Sequence, residues 1–150
     1  MSVTRRETIL LSTGTYDWKY LERNSAAATA IKPGTMMQRN AADAFIPFPT
    51  VGGVGVNYVA REDSLQGKTI DDAYAAGNPV FAAVPVPGAV AQVLLTFGVA
   101  YAIGDILIHA GDGSLKKTAL TPLQYVAVIE EAISLVAPVV NTLGTVRFVA

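Results

Sequence analysis

The single histidine, His109, precedes Ala110-Gly111-Asp112-Gly113-Ser114. A base, an acid and a hydroxyl this close could form a hydrolytic centre, with Asp112 steering His109 and His109 activating Ser114. Three residues of one turn segment rarely reach that geometry, and no G-x-S-x-G elbow presents Ser114. One histidine in a chain without cysteine is also a poor metal site. The expected place of His109 is a strand end beside a Gly-Asp-Gly turn. The carboxylates Glu62-Asp63, Asp71-Asp72 and Glu130-Glu131 are adjacent pairs, and neighbours on a strand point to opposite faces. They do not converge on one bond as a glycosidase pair must, unless folding joins two pairs. Gly52-Gly53-Val54-Gly55 lacks the G-K-[ST] of a phosphate loop and reads as a turn or bulge. Asp105 and Asp112 do not match a calcium loop. Lys68 and Lys116-Lys117 follow turns, but not in the hairpin pattern of a lipoyl or biotinyl carrier, and read as solvated lysines. No catalytic residue, cofactor or metal is expected.

The N-terminal segment offers binding chemistry instead. Tyr16, Trp18 and Tyr20 alternate with Asp17 and Lys19, so an extended chain places all three rings on one face. Tyrosine and tryptophan are favoured interface anchors. The strip could add to a partner's sheet edge, with Arg5, Arg6, Lys19 and Arg23 meeting an acidic surface, or it could pack on its own body.

Charge divides the chain. Residues 1–40 carry a net +3 and residues 41–150 a net −4. Residues 1–25 are therefore drawn as an arm and 26–150 as a single β-rich body. Charged residues are only 15% of the 150, well below the usual quarter, which excludes a disordered chain. A net charge of −1 gives no generic polyanion-binding surface, so no nucleic-acid partner is expected. No charge occurs from Ala73 to Gly104, yet Pro85-Val86-Pro87-Gly88 interrupts that stretch, so no membrane span is expected. Ile9-Leu10-Leu11 after Arg5-Arg6 is too short for an export signal.

Turn signals punctuate the body at short intervals, and the runs between them are rich in Val, Ile, Tyr and Phe. Strands are expected at Thr35–Arg39, Gly55–Ala60, Val80–Val84, Val90–Phe97, Val99–Ile103, Ile106–His109, Tyr125–Glu131 and Gly144–Val149. The fold class is mainly all-β: a small barrel-like or sandwich-like body, one short helix and an extended N-terminal arm. The helix is expected at Thr69–Tyr74, with Thr69 as N-cap and Asp71 and Asp72 in the first turn. Leu123–Val140 has partial helical spacing, but Tyr125–Ile129 favours a strand followed by a loop through Pro138.

The stretch Leu65-Gln66-Gly67-Lys68-Thr69-Ile70-Asp71-Asp72-Ala73-Tyr74-Ala75-Ala76-Gly77-Asn78-Pro79-Val80 resembles one in head decoration, or cement, proteins of tailed bacteriophages. Ile31-Lys32-Pro33-Gly34-Thr35, Val86-Pro87-Gly88, Ile103-Gly104-Asp105-Ile106-Leu107, Ala110-Gly111-Asp112-Gly113-Ser114-Leu115 and the ending Gly144–Val149 fit the same family, in order. Each piece alone is mostly turn chemistry; their ordered combination carries the resemblance.

The resemblance implies a non-enzymatic protein of the virion, made in the host cytoplasm. It would bind the outer capsid surface, clamp neighbouring capsomers and stabilise the head. The implied partners are the major capsid protein and further copies of the chain, as a homotrimer or a dimer. Where the family has polar residues, Phe45-Ile46-Pro47-Phe48-Pro49 is apolar, which marks Phe45, Ile46 and Phe48 as a loop contact. Two other readings compete: a fibre-like or receptor-binding β-module that recognises carbohydrate through surface aromatics, and a hydrolase built on His109.

Overall fold

The computed structural model describes residues 8–12, 18–20, 26–118 and 125–149, with the backbone alone at 18–20. The strands described are β1 (Trp18–Tyr20), β2 (Ala26–Ala27), β3 (Met36–Arg39), β4 (Ala44–Pro47), β5 (Tyr58–Ala60), β6 (Ala82–Pro85) and β7 (Val90–Leu95). They continue with β8 (Ala100–Tyr101), β9 (Ile106–His109), β10 (Leu115–Lys117), β11 (Ala127–Ile129), β12 (Ile133–Ser134) and β13 (Thr142–Phe148). Five of them close a barrel in the order β10-β7-β13-β11-β9. Six form a sheet in the order β1-β6-β5-β3-β4-β2, and β12 pairs with β8.

Period-2 alternation builds the barrel core. Ala91, Val93 and Leu95 of β7 face inward with Leu107 of β9, Leu115 of β10, Ala127 and Ile129 of β11, and Val146 and Phe148 of β13. Small Ala91 and Ala127 offset bulky Leu95 and Phe148 across a narrow interior.

The same alternation divides the six-stranded sheet between two cores. Met36, Val59 and Ala83 join the barrel core, while their chain neighbours Met37, Ala60 and Ala82 pack with Ile31, Phe45, Tyr74 and Val80 on the other face. Both faces are thus covered, which accounts for the apolar, uncharged middle of the sequence.

Four sequence expectations change. The segment drawn as an arm is, over its described residues, part of the body. Ile9 is fully buried in the barrel core, its amide donates to Glu62, and residues 8–12 run along β7 through bonds to Val90 and Gln92. Trp18, Lys19 and Tyr20 pair antiparallel with Pro85, Val84 and Ala83. Second, Thr69–Tyr74 forms a turn and not a helix. Asp72 accepts from the Thr69 amide and hydroxyl as a helix start would, but Tyr74 is drawn into an extended bridge with Ile31. The only helical piece described is a 3-10 turn at Ser64–Gln66. Third, Phe45 and Ile46 lie in β4, and Phe45 and Phe48 are buried, which leaves Ile46 as the half-exposed member of the expected loop contact. Fourth, Lys116-Lys117 lie on β10, paired with β9, and not in a turn, while Lys117 is solvent-exposed as expected.

Candidate docking face around the 110–114 turn

The turn joining β9 to β10 is wedged between barrel and sheet. The Met36 amide donates to the Gly113 carbonyl at 2.8 Å, and a Cβ at Gly113 would meet Thr35 and Pro47. At Gly111, φ is +96°, and a Cβ would lie 3.0 Å from the Val51 side chain, so glycine is required there on both grounds.

Two loops flank this turn, one on each side. The first runs over 49–57, and its glycines fold it over the Phe48 ring. A Cβ at Gly53 would fall 2.9 Å from that ring, so the glycine-rich run forms a lid and not a phosphate cradle. Beneath the lid, Phe48 stacks on His109 with ring centroids 3.6 Å apart and planes 3° from parallel. His109 holds the loop at two further points. Its carbonyl accepts from the Gly52 amide at 2.9 Å, and Nε2 lies 2.9 Å from Asn57 Oδ1. Because that oxygen accepts, the ring proton sits on Nε2, and Nδ1 is left bare, buried and without a partner among the described residues. Burial lowers the His109 pKa to about 4, so the ring is neutral at pH 7. A cleft of about 420 Å³ lies alongside, lined by Gly52–Gly55, Asn57, His109 and Tyr125 among others.

The second loop runs over 135–141, between β12 and β13. Its Leu135 exchanges backbone bonds with Gly98 and Val99. Asn141 donates to Asp112 Oδ2 at 3.1 Å and accepts from the Phe97 amide at 3.3 Å. Asp112 also accepts from the Ser114 amide and hydroxyl, and Ser114 bonds to Thr96 at 2.8 Å. Burial opposes ionisation of Asp112, but the bonds from Ser114 and Asn141 outweigh it and hold the carboxyl below its ordinary value.

The residues considered for hydrolysis therefore do not assemble. Ser114 Oγ is engaged by Asp112 and Thr96, and His109 by Asn57 and Phe48. The carboxylate pairs also have local work. Glu62 accepts from Ile9, Asp72 closes the Thr69 turn, and Glu130 makes a two-point bond with Arg147 at 2.8 and 3.1 Å. Among the described residues no group of three or more His, Asp or Glu side chains is placed to hold a metal, and no helix is long and apolar enough to cross a membrane.

What the two loops present to solvent is apolar. Val51, Val54 and Val56 of the first are each more than half exposed, as are Val136, Val139 and Val140 of the second, with Val139 at 80%. Phe97, tied to the second loop through Asn141, is 45% exposed. Single exposed valines are ordinary, but here six are concentrated on two loops that both touch one turn. Arg5, Arg6, Tyr16 and Arg23 lie outside the described residues, the backbone of Trp18, Lys19 and Tyr20 is in β1, and Phe48 sits under the lid. Sequence reasoning did not single out the valines, because Val51, Val54, Val136, Val139 and Val140 stand in Gly- or Pro-containing runs that read as connectors and Val56 falls in an expected strand. The available signal was apolar residues at turn positions, where polar ones are usual. The chain matches no family model and no curated protein.

Proposed function

We propose that the chain is a decoration protein of tailed-phage heads, which binds the outer shell and clamps neighbouring capsomers. The ordered motif resemblance from Ile31 to Val149 suggests the family. The observation that carries the reading is the apolar face of the 49–57 and 135–141 loops, beside side chains whose chemistry is spent on internal bonds. Burial of such a face contributes about 25 cal/mol per Å² before the costs of association. Repetition over a lattice of sites lets modest contacts brace a whole shell. The partners in this reading are the major capsid protein and neighbouring copies of the chain, as a trimer or dimer, and the place of action is the virion surface.

The test is co-sedimentation with a panel of expanded tailed-phage heads stripped of their own decoration. Saturable binding by the intact chain, weakened at least tenfold by Val54→Asp or Val139→Asp with the fold unchanged, supports the reading. Absence of binding to every head, or unchanged binding by both variants, contradicts it.

A further inference from the structure

His109 has a place that no catalytic or metal role explains. It lies at the end of β9, beneath a loop that has few backbone bonds of its own. Three of the contacts that fix that loop converge on this one residue: the Phe48 stack at the start of the loop, the Gly52 amide in the middle and the Asn57 side chain at the end.

We propose that His109 is a pH-sensitive latch for the 49–57 loop, closed when the imidazole is neutral and opened when it is protonated, so that acid dismantles one half of the apolar face. This rests on the reading of that face as a docking surface. A second proton must go to Nδ1, which is buried and faces no acceptor among the described residues, so the protonated ring carries both a buried charge and an unpaired N–H. Among the described residues no carboxylate compensates. On β9 itself the neighbours are Ile108 and Leu107, and the 49–57 loop contributes no charged residue. Across the pairing with β10, apolar Leu115 stands opposite His109, and Lys116, opposite Ile108, lies on the other face. In the adjoining turn Asp112 is engaged by Ser114 and Asn141, and from the 125–126 side the titratable group at the cleft is Tyr125. The cheapest response to protonation is to let the ring reach water, and the lid over it is glycine. The depressed pKa of the ring agrees with this geometry.

The experiment uses the full chain, labelled for NMR and titrated from pH 7.5 to 3.5. It follows the His109 ring together with the exchange rates of two amides. Gly52 donates to His109, and Gly98 donates to Leu135 in the other loop. Exchange at Gly52 is expected to accelerate tenfold or more, after correction for the intrinsic pH dependence, in step with protonation of His109, while Gly98 keeps its protection. His109→Phe keeps a ring on Phe48 and cannot take a proton, so its Gly52 protection should not change with pH. Asn57→Asp places an anion against Nε2, so the ring should titrate higher and the loop stay closed, a readout that survives if His109→Phe does not fold. Gly52 protection that stays flat through the titration, or falls equally in His109→Phe, overturns the latch. Head binding separates the two ideas. A loop that opens in acid on a protein that binds no head at pH 7 supports the latch and overturns the docking reading. Binding at pH 7 with a loop still shut once the ring is protonated overturns the latch alone.

Discussion

The 49–57 and 135–141 loops carry the same cargo, three exposed valines each, and flank the same turn, yet they are held in opposite ways. The first is clamped from beneath by an aromatic stack on a neutral, buried imidazole. The second is tied from the side by a hydrogen-bond network on an ionised, partly accessible carboxylate, Asp112. The first anchor is thus a buried pair of rings, and the second joins a surface network to the buried side chain of Leu135. The difference shows that similar surfaces can respond differently to mutation and to pH, according to what lies under them.

The largest effect that separates them is expected at Phe48. Phe48→Ala removes a buried ring and should cost about 3–5 kcal/mol in urea unfolding. None of the exposed valines of the 135–141 loop, Val136, Val139 and Val140, is expected to approach that value; an equal loss from any of them would break the distinction. Next in size is the pH response. The folded-state pKa of His109 lies below its unfolded value, so the unfolded chain binds the proton more readily. The stability contributed by the neutral ring is complete above about pH 6.5 and is lost as pH falls toward 4, on the order of 3 kcal/mol. Asp112 has the same sign in a more acidic window: its contribution is present above the ordinary carboxylate pKa and is lost below it, as pH falls through the lowered value. Calorimetry of the intact chain and of His109→Phe over pH 7 to 4 should show the first loss in the intact chain only.

Smaller is the effect of Asp112→Ala, which leaves Ser114 and Asn141 without their acceptor and should cost about 1–2 kcal/mol. Amide exchange should then accelerate at Ser114 and Phe97 and not at Gly52, which localises the damage to the second loop. The smallest effects belong to Val54→Ser and Val139→Ser, expected within about 0.5 kcal/mol of the parent in the same unfolding experiment.

The sequence showed the barrel better than the face it carries. The observed span of β9 equals the expected Ile106–His109, because alternation and a following Gly-Asp-Gly turn fix both ends. The preference for a strand over a helix at 125–129 also agrees with β11, where pairing with β9 and β13 outweighs a partial helical stripe. By contrast, β4 lay hidden in Phe45-Ile46-Pro47-Phe48-Pro49, since two prolines mark a connector when strand neighbours are unknown. The turn at 69–74 began with good capping chemistry and was overridden by the distant bridge to Ile31. The stack of Phe48 on His109 joins residues 61 positions apart, and no local pattern announces it. Burial of Ile9 also means that removal of residues 1–24 would take a core side chain and strand β1 with it, so that truncation would not test an arm alone.

The most direct measurement of the docking claim is electron microscopy of expanded tailed-phage heads saturated with the chain at pH 7. The account predicts regular density on the outer lattice, with the 110–114 turn and both valine loops against the shell. Bare heads, or density that meets the shell through another face while both loops point to solvent, would contradict it.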